Sequence, residues 1–134
     1  MSVGRLHLKV VTPTRVVVEA DVDEVTLPGV LGALGILPGH APLLSSLRIG
    51  ELGYRAGARE HYLALQWGFA EIANDTVTVL ADVAELPAEI DVEAARAEKA
   101  SAEDALRAAS GKAFEKQRAQ LESSVTRIAV ATRR

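Results

Sequence analysis

From Arg5 to Val79 apolar and polar residues alternate with a period of two, broken at short intervals by turn residues. That is the pattern of antiparallel strands packed as a sandwich or barrel. Leu6, Leu8 and Val10 alternate with Arg5, His7 and Lys9, and Thr12-Pro13-Thr14 ends the strand. Arg15 to Glu19 reads as a second strand and Val22 to Leu27 as a third, whose alternation breaks at Asp23-Glu24 and predicts a bulge or an edge position. Leu47 to Arg55 and Arg59 to Leu65 read as a hairpin across Ala56-Gly57-Ala58. Asn74-Asp75 marks a tight turn between Phe69-Ala70-Glu71-Ile72 and Thr76-Val77-Thr78-Val79. Roughly eight to ten short strands fit this region, two packed sheets around one aliphatic core. No helix is required before Pro87.

After Asp82 the period changes. One glycine and one proline remain, and alanine, glutamate, lysine and arginine dominate. The pattern divides the chain into a β-sandwich over 1–86 and an antiparallel two-helix hairpin over 87–134. Asp91 is suited to cap a helix from Val92 to about Ala109, with Glu93 in its first turn and Ser110-Gly111 at its end. A second helix from Lys112 to Val130 carries an apolar stripe of Phe114, Leu121, Val125 and Ile128. The first helix offers only Ala95, Ala102, Leu106 and Ala109, supported by an expected Glu103–Arg107 pair four residues apart. So thin a face contributes only a few kcal/mol at about 25 cal/mol per Å², and the hairpin needs something to lean on. Permanent packing on the sandwich and a hairpin with more than one position are both open.

One stretch fits neither pattern. Leu27 to Leu44, LPGVLGALGILPGHAPLL, holds four of the ten glycines and three of the five prolines, with His40 as its single ionisable side chain. Glycine permits close approach or positive φ, while proline fixes φ and removes a donor, so an irregular, rigid, apolar ribbon is expected. It either joins buried strands by tight turns or faces a partner that keeps it dry.

The totals remove several classes of function. At 134 residues the chain can bury a core without staples. It has no cysteine, which excludes disulfides, thiolate metal sites and cysteine nucleophiles. The hydrophobic fraction is 49% with only 4% aromatic, yet no apolar run approaches the roughly 18 residues of a membrane span, and Met1 to Gly4 has no leader character. A net charge of −3 argues against nucleic acid as a partner. Its distribution is uneven: six basic and eleven acidic residues up to Ile90, against six basic and two acidic after Ser110.

Catalytic chemistry is not found. His7, His40 and His61 lack the spacing of a metal pair, and Ser45 and Ser46 have no base oriented by a third group. Gly29 to Gly35 is GxxGxxG and not the dinucleotide GxGxxG, and Gly111-Lys112-Ala113 lacks the hydroxyl and upstream glycine of a P-loop. No cofactor or metal is expected. A non-catalytic interaction subunit and a small-ligand module whose hairpin closes over a nucleotide both remain.

GILPGHAPLL, at Gly35 to Leu44, resembles the best-known segment of the epsilon subunit of F-type ATP synthases. GFAEIANDTVTVLADVAE, at Gly68 to Glu85, resembles the stretch closing that family's β domain, and the helical tail has the family's length. The resemblance implies a central-stalk subunit coupling the gamma subunit to the c-ring, with a hairpin that reaches the alpha/beta hexamer and inhibits ATP hydrolysis. It implies membrane association only through partner subunits, on the cytoplasmic face of a bacterial inner membrane or the stromal face of a thylakoid. Carried over residue by residue, Val30, Leu31, Ala33, Leu34 and His40 form the docking ribbon; the basic excess of the tail makes Lys112, Lys116, Arg118 and Arg127 the expected inhibitory cations. Two departures stand out. The family's acidic residue before the ribbon glycine is Ala33, and its I-D-x-x-R-A nucleotide motif retains Glu85, Ile90 and Asp91 but has Ala94 for the arginine. Without that bidentate cation, weak ATP binding or none is expected.

Overall fold

The computed structural model describes residues 4–133. Eight strands, β1 (Leu6–Val11), β2 (Val16–Val22), β3 (Glu24–Gly29), β4 (Gly32–Ile36), β5 (Leu43–Leu47), β6 (Gly50–Ala56), β7 (Arg59–Ala73) and β8 (Thr76–Glu85), precede a 3-10 turn at Pro87–Glu89. Two helices, α1 (Val92–Leu106) and α2 (Gly111–Thr132), follow. The strands form one hydrogen-bonded sheet in the order β2-β1-β8-β7-β5-β3-β4, with β6 bridging β3 and β7.

The sandwich is this sheet folded over its longest strand. β8 runs along one edge of β7, while the other edge is shared: Arg59 to Leu65 pair with β6 and Gly68 to Ile72 with β5. At the division Trp67 has φ +50°, a left-handed backbone unusual for so bulky a side chain. Gly68 follows because a Cβ there would run into the Leu80 carbonyl oxygen and lie 2.9 Å from the Ala81 Cα. The alternation fills the inside: Leu6, Leu8, Val10, Val25, Leu27, Leu52, Leu63, Ile72, Val77 and Val79 are all buried in one cluster.

Several expectations are corrected in detail. Strands expected at Arg59 to Leu65 and Phe69 to Ile72 are one strand, because the backbone turns at Trp67 without leaving the ladder. The ladders are antiparallel except β1 with β8, which is parallel. Leu47 closes β5 instead of opening the hairpin, which starts at Gly50. Asp23 lies at the junction of β2 and β3, where its carboxylate accepts a 2.7 Å bond from the Gly57 amide. That bond, ahead of the nearby Arg5 and Arg55 guanidiniums, holds its pKa below the usual carboxylate value. The ribbon expected to be irregular is mostly a hairpin: β3 pairs with β4 from Val25↔Ile36 to Gly29↔Gly32 around a Val30-Leu31 turn. Asn74 and Asp75 form the expected tight turn, both with left-handed φ.

In the helical part α1 stops at Leu106, short of Ala109, and Arg107 bonds Asp104 at 2.7 Å in place of Glu103. Asp91 caps α1, its carboxylate accepting from the Ala94 amide at 3.0 Å. The stripe read on α2 is only partly covered: Leu121 and Ile128 are half-buried and Phe114 and Val125 exposed, while Ser123, Ser124 and Val130 are buried. Arg134, one of the six bases counted in the tail, and Met1 to Val3 lie outside the described residues.

Candidate functional site

Two surfaces stand out. The first crosses the outer face of the sheet. Val16 pairs with Val11, Val11 with Leu80, Leu80 with Phe69, and Phe69 with Ser46, whose carbonyl accepts from the Val30 amide at 3.1 Å. Val11, Leu80 and Phe69 occupy the outward, polar phase of their strands, Val16 opens β2 beside a register shift, and Val16, Leu80, Phe69 and Val30 are all well exposed. The row therefore runs perpendicular to the strands and ends at the ribbon's turn. It was legible only as an anomaly, large apolar residues falling out of phase with their neighbours.

The ribbon residues are not one patch. Val30, Leu31 and Ala33 are exposed around the β3-β4 turn, Leu31 completely so. Leu34 instead packs against the sandwich core. His40 sits at the opposite end of β4, in the loop to β5, with its Nδ1 2.6 Å from the Ala41 carbonyl and its amide donating to Leu37 at 3.1 Å. Gly39 donates to the Asp75 carboxylate at 2.7 Å, tying that loop to the β7-β8 turn.

The second surface is the seam between hairpin and sandwich. Gln66 of β7 donates to Ser123 of α2. One turn on, Arg127 donates from Nε and Nη2 to the two carboxylate oxygens of Glu85 at 2.8 and 3.2 Å, and from Nη1 to Glu98 at 3.3 Å. Arg127 and Glu85 are only 17% and 23% exposed, so this forked contact is shielded and stronger than a surface pair. Beyond it Val130 is buried with Ala64 and Ile90. Ser124, also buried, returns its hydroxyl to the Gln120 and Leu121 carbonyls at 3.0 Å.

Of the expected cations, Lys112, Lys116 and Arg118 remain exposed, Arg118 lying 3.3 Å from Glu122, while Arg127 faces inward. Glu85 and Asp91, the expected nucleotide-side acids, are taken up by Arg127 and by the α1 cap. Glu89 joins the linker to the sandwich through a 2.7 Å contact with Arg15, which, with the Leu86 amide, holds its pKa down. Among the described residues no three His, Cys, Asp or Glu side chains gather as for a metal, and no helix is long and apolar enough to cross a membrane.

This architecture has known counterparts. A folded sheet followed by two helices is also found in a chain of the Euglena gracilis mitochondrial ATP synthase, in its OSCP/F1/c-ring assembly in rotational state 1. The TM-score is 0.82 at 19% identity, over 91% of this chain and 78% of that one. A chain of the Tetrahymena thermophila mitochondrial ATP synthase central stalk and c-ring shares the fold at a TM-score of 0.64 and 16% identity, over 92% and 96%. The family described as "ATP synthase, Delta/Epsilon chain, beta-sandwich domain" matches residues 5–87, which sets the class. Within that class the relatives are specific. The ATP synthase epsilon chain of Geobacter sp. (strain M21) is 47% identical over 95% of this chain and 94% of its own, and that of Citrifermentans bemidjiense is 46% identical over the same shares. The chain belongs to the ATP synthase epsilon chain family, the non-catalytic stalk subunits of that complex.

Proposed function

We propose that the chain couples the gamma subunit to the c-ring in the central stalk of a proton- or sodium-translocating ATP synthase. The sandwich over 1–86 binds the rotor, and the hairpin over 87–134 regulates hydrolysis. The observation carrying this reading is the exposed apolar row from Val16 through Leu80 and Phe69 to Val30, continuous with the Val30-Leu31 turn. A soluble surface has no need of such a row, whereas a subunit that must turn with its partner needs a broad dry contact. The outer face meets gamma, and the turn meets the ring's loops by apolar contact, since Ala33 supplies no charge. Membrane association runs through these partners, on the cytoplasmic face in a bacterium.

The hairpin, seated on the sandwich by a few polar contacts, is able to leave it. Once extended, Lys112, Lys116, Arg118 and Arg127 meet acidic surface of the alpha/beta hexamer and restrain hydrolysis. Nucleotide binding at the hairpin gains no such support, because Glu85 and Asp91 are already engaged.

The test is reconstitution. Phe69→Glu with Leu80→Glu should abolish capture of gamma while the sandwich still melts cooperatively; Leu31→Asp should weaken capture of the c-ring alone. Unchanged capture by the double variant would defeat the reading of the outer face. Removing residues after Ser110 should raise hydrolysis by the complex and make it insensitive to moderate salt.

A further inference from the structure

Where the last turn of α2 crosses β6 and β7, the sheet carries a recess of about 300 Å³. Its wall includes Glu51, Gly53, Glu60 and Tyr62, with Glu24 and Arg55 on the far side. Arg133 lines it from the helix end. Its Cζ lies 4.0 Å above the centroid of the Tyr62 ring, and its Nη2 donates to Glu51 at 2.6 Å. The ring is fixed from both ends. Its hydroxyl donates to Glu60 at 2.6 Å, and beneath it Gly53 leaves room, since a Cβ there would stand 3.2 Å from the Tyr62 ring.

The chemistry selects a planar cation. An aromatic face beside a carboxylate satisfies a guanidinium twice, by stacking and by an edge-on donor, whereas an ammonium has no plane to stack. Arg55 does not satisfy the carboxylates on this side, because it leans toward Asp23 and Glu24 at 3.8 and 3.7 Å. Without Arg133, Glu51 would face water with no cation, while Glu60 would keep only the Tyr62 hydroxyl. We propose that the recess is a guanidinium-binding site whose resident ligand is Arg133, and that this contact latches the last turn of α2 to the sandwich. At 46% exposed, Arg133 is the most accessible of the contacts holding α2, against 17% for Arg127. The helix therefore opens from its C-terminal end, and an external guanidinium competes with the latch.

The proposal concerns the seated hairpin and stands apart from the rotor reading. It is tested on the full chain by hydrogen–deuterium exchange of amides from Leu121 to Arg133, with β1 to β8 amides as the folding control. Arg133→Ala, Glu51→Gln and Tyr62→Ala should each speed exchange in the last turns of α2 about five-fold, leaving the sheet unchanged. Tyr62→Phe, which keeps the ring, should behave as wild type, and Arg133→Lys should exchange faster than wild type. About 0.1 M guanidinium chloride should open the wild-type turn more than an equal concentration of sodium chloride, and Arg133→Ala should not distinguish the two salts. Wild-type exchange in Arg133→Ala and Glu51→Gln would overturn the latch. Equal effects of the two salts, or of lysine and arginine, would overturn the guanidinium site.

Discussion

The sandwich and the hairpin are held in place by different physics. In the sandwich the long aliphatic side chains of β1, β3, β6, β7 and β8 lie in one dry cluster, and every strand is paired to at least one neighbour over several residues. Burial of this kind is non-directional and is not weakened by charge screening. The hairpin meets the sheet through Gln66–Ser123, the Arg127 fork, the small cluster around Val130 and the Arg133 contact. Those contacts are few and, apart from the cluster around Val130, polar and directional. The same chain thus carries one part that holds its shape and another whose position depends on a handful of polar partners.

The sharpest way to break this contrast is a charge in the dry cluster. Leu63→Asp should cost more than about 4 kcal/mol and unfold the sandwich in urea titration. Gly68→Ala should cost about 2 to 3 kcal/mol in the same measurement, since the β7 backbone must shift away from Leu80 and Ala81. Arg127→Ala removes the fork and leaves Glu85 and Glu98 without it. It should lower the local opening free energy of α2 by about 1 to 2 kcal/mol in hydrogen exchange and leave the urea midpoint of the sheet in place. A parallel loss of sheet stability would show that the two parts form one cooperative unit.

The smallest effect lies on the sandwich rim. His7 sits between Asp21 and Glu19, both at 3.0 Å, and these hydrogen bonds, Asp21 first, raise its pKa above the ordinary 6.5. A raised folded-state pKa gives stability that is complete below 6.5 and disappears as pH rises through the folded value. The difference in thermal midpoint between wild type and His7→Gln should therefore be larger at about pH 5.5 than at about pH 9.

The inside of the sandwich was readable because a period of two assigns faces without knowing neighbours. Leu6, Leu8 and Val10 needed no partner to be placed inward, and Asn74-Asp75 needed only two residues that tolerate left-handed φ. Partners were not readable. Nothing local in β1 specifies a parallel neighbour in β8, and Trp67-Gly68 looks like a strand end because Gly68 is a turn residue. On α2 the apolar spacing of Phe114, Leu121, Val125 and Ile128 missed the residues that meet the sheet, Ser123, Arg127 and Val130. The wall that α2 meets offers Gln66 and Glu85, so Ser123 and Arg127 turn inward and Val125 turns out. Hydrophobic periodicity finds a helix's inner face only when the surface beneath it is apolar. The exposed apolar row was hidden for a related reason, being assembled from single residues on five segments.

The parallel pairing of β1 with β8 bears on how the protein is made. The first strand to leave the ribosome finds one flank, β2, at once, but its other neighbour is the last strand of the sheet. Until the chain has been synthesised through Glu85, the β1-β2 hairpin exposes both an unpaired edge and the leucines meant for the core. An isolated two-stranded hairpin is at best marginal in water, so early strands have little stable structure to join. The sandwich therefore closes late and in one step, and nascent chains halted before β8 should be the ones that chaperones hold and proteases remove.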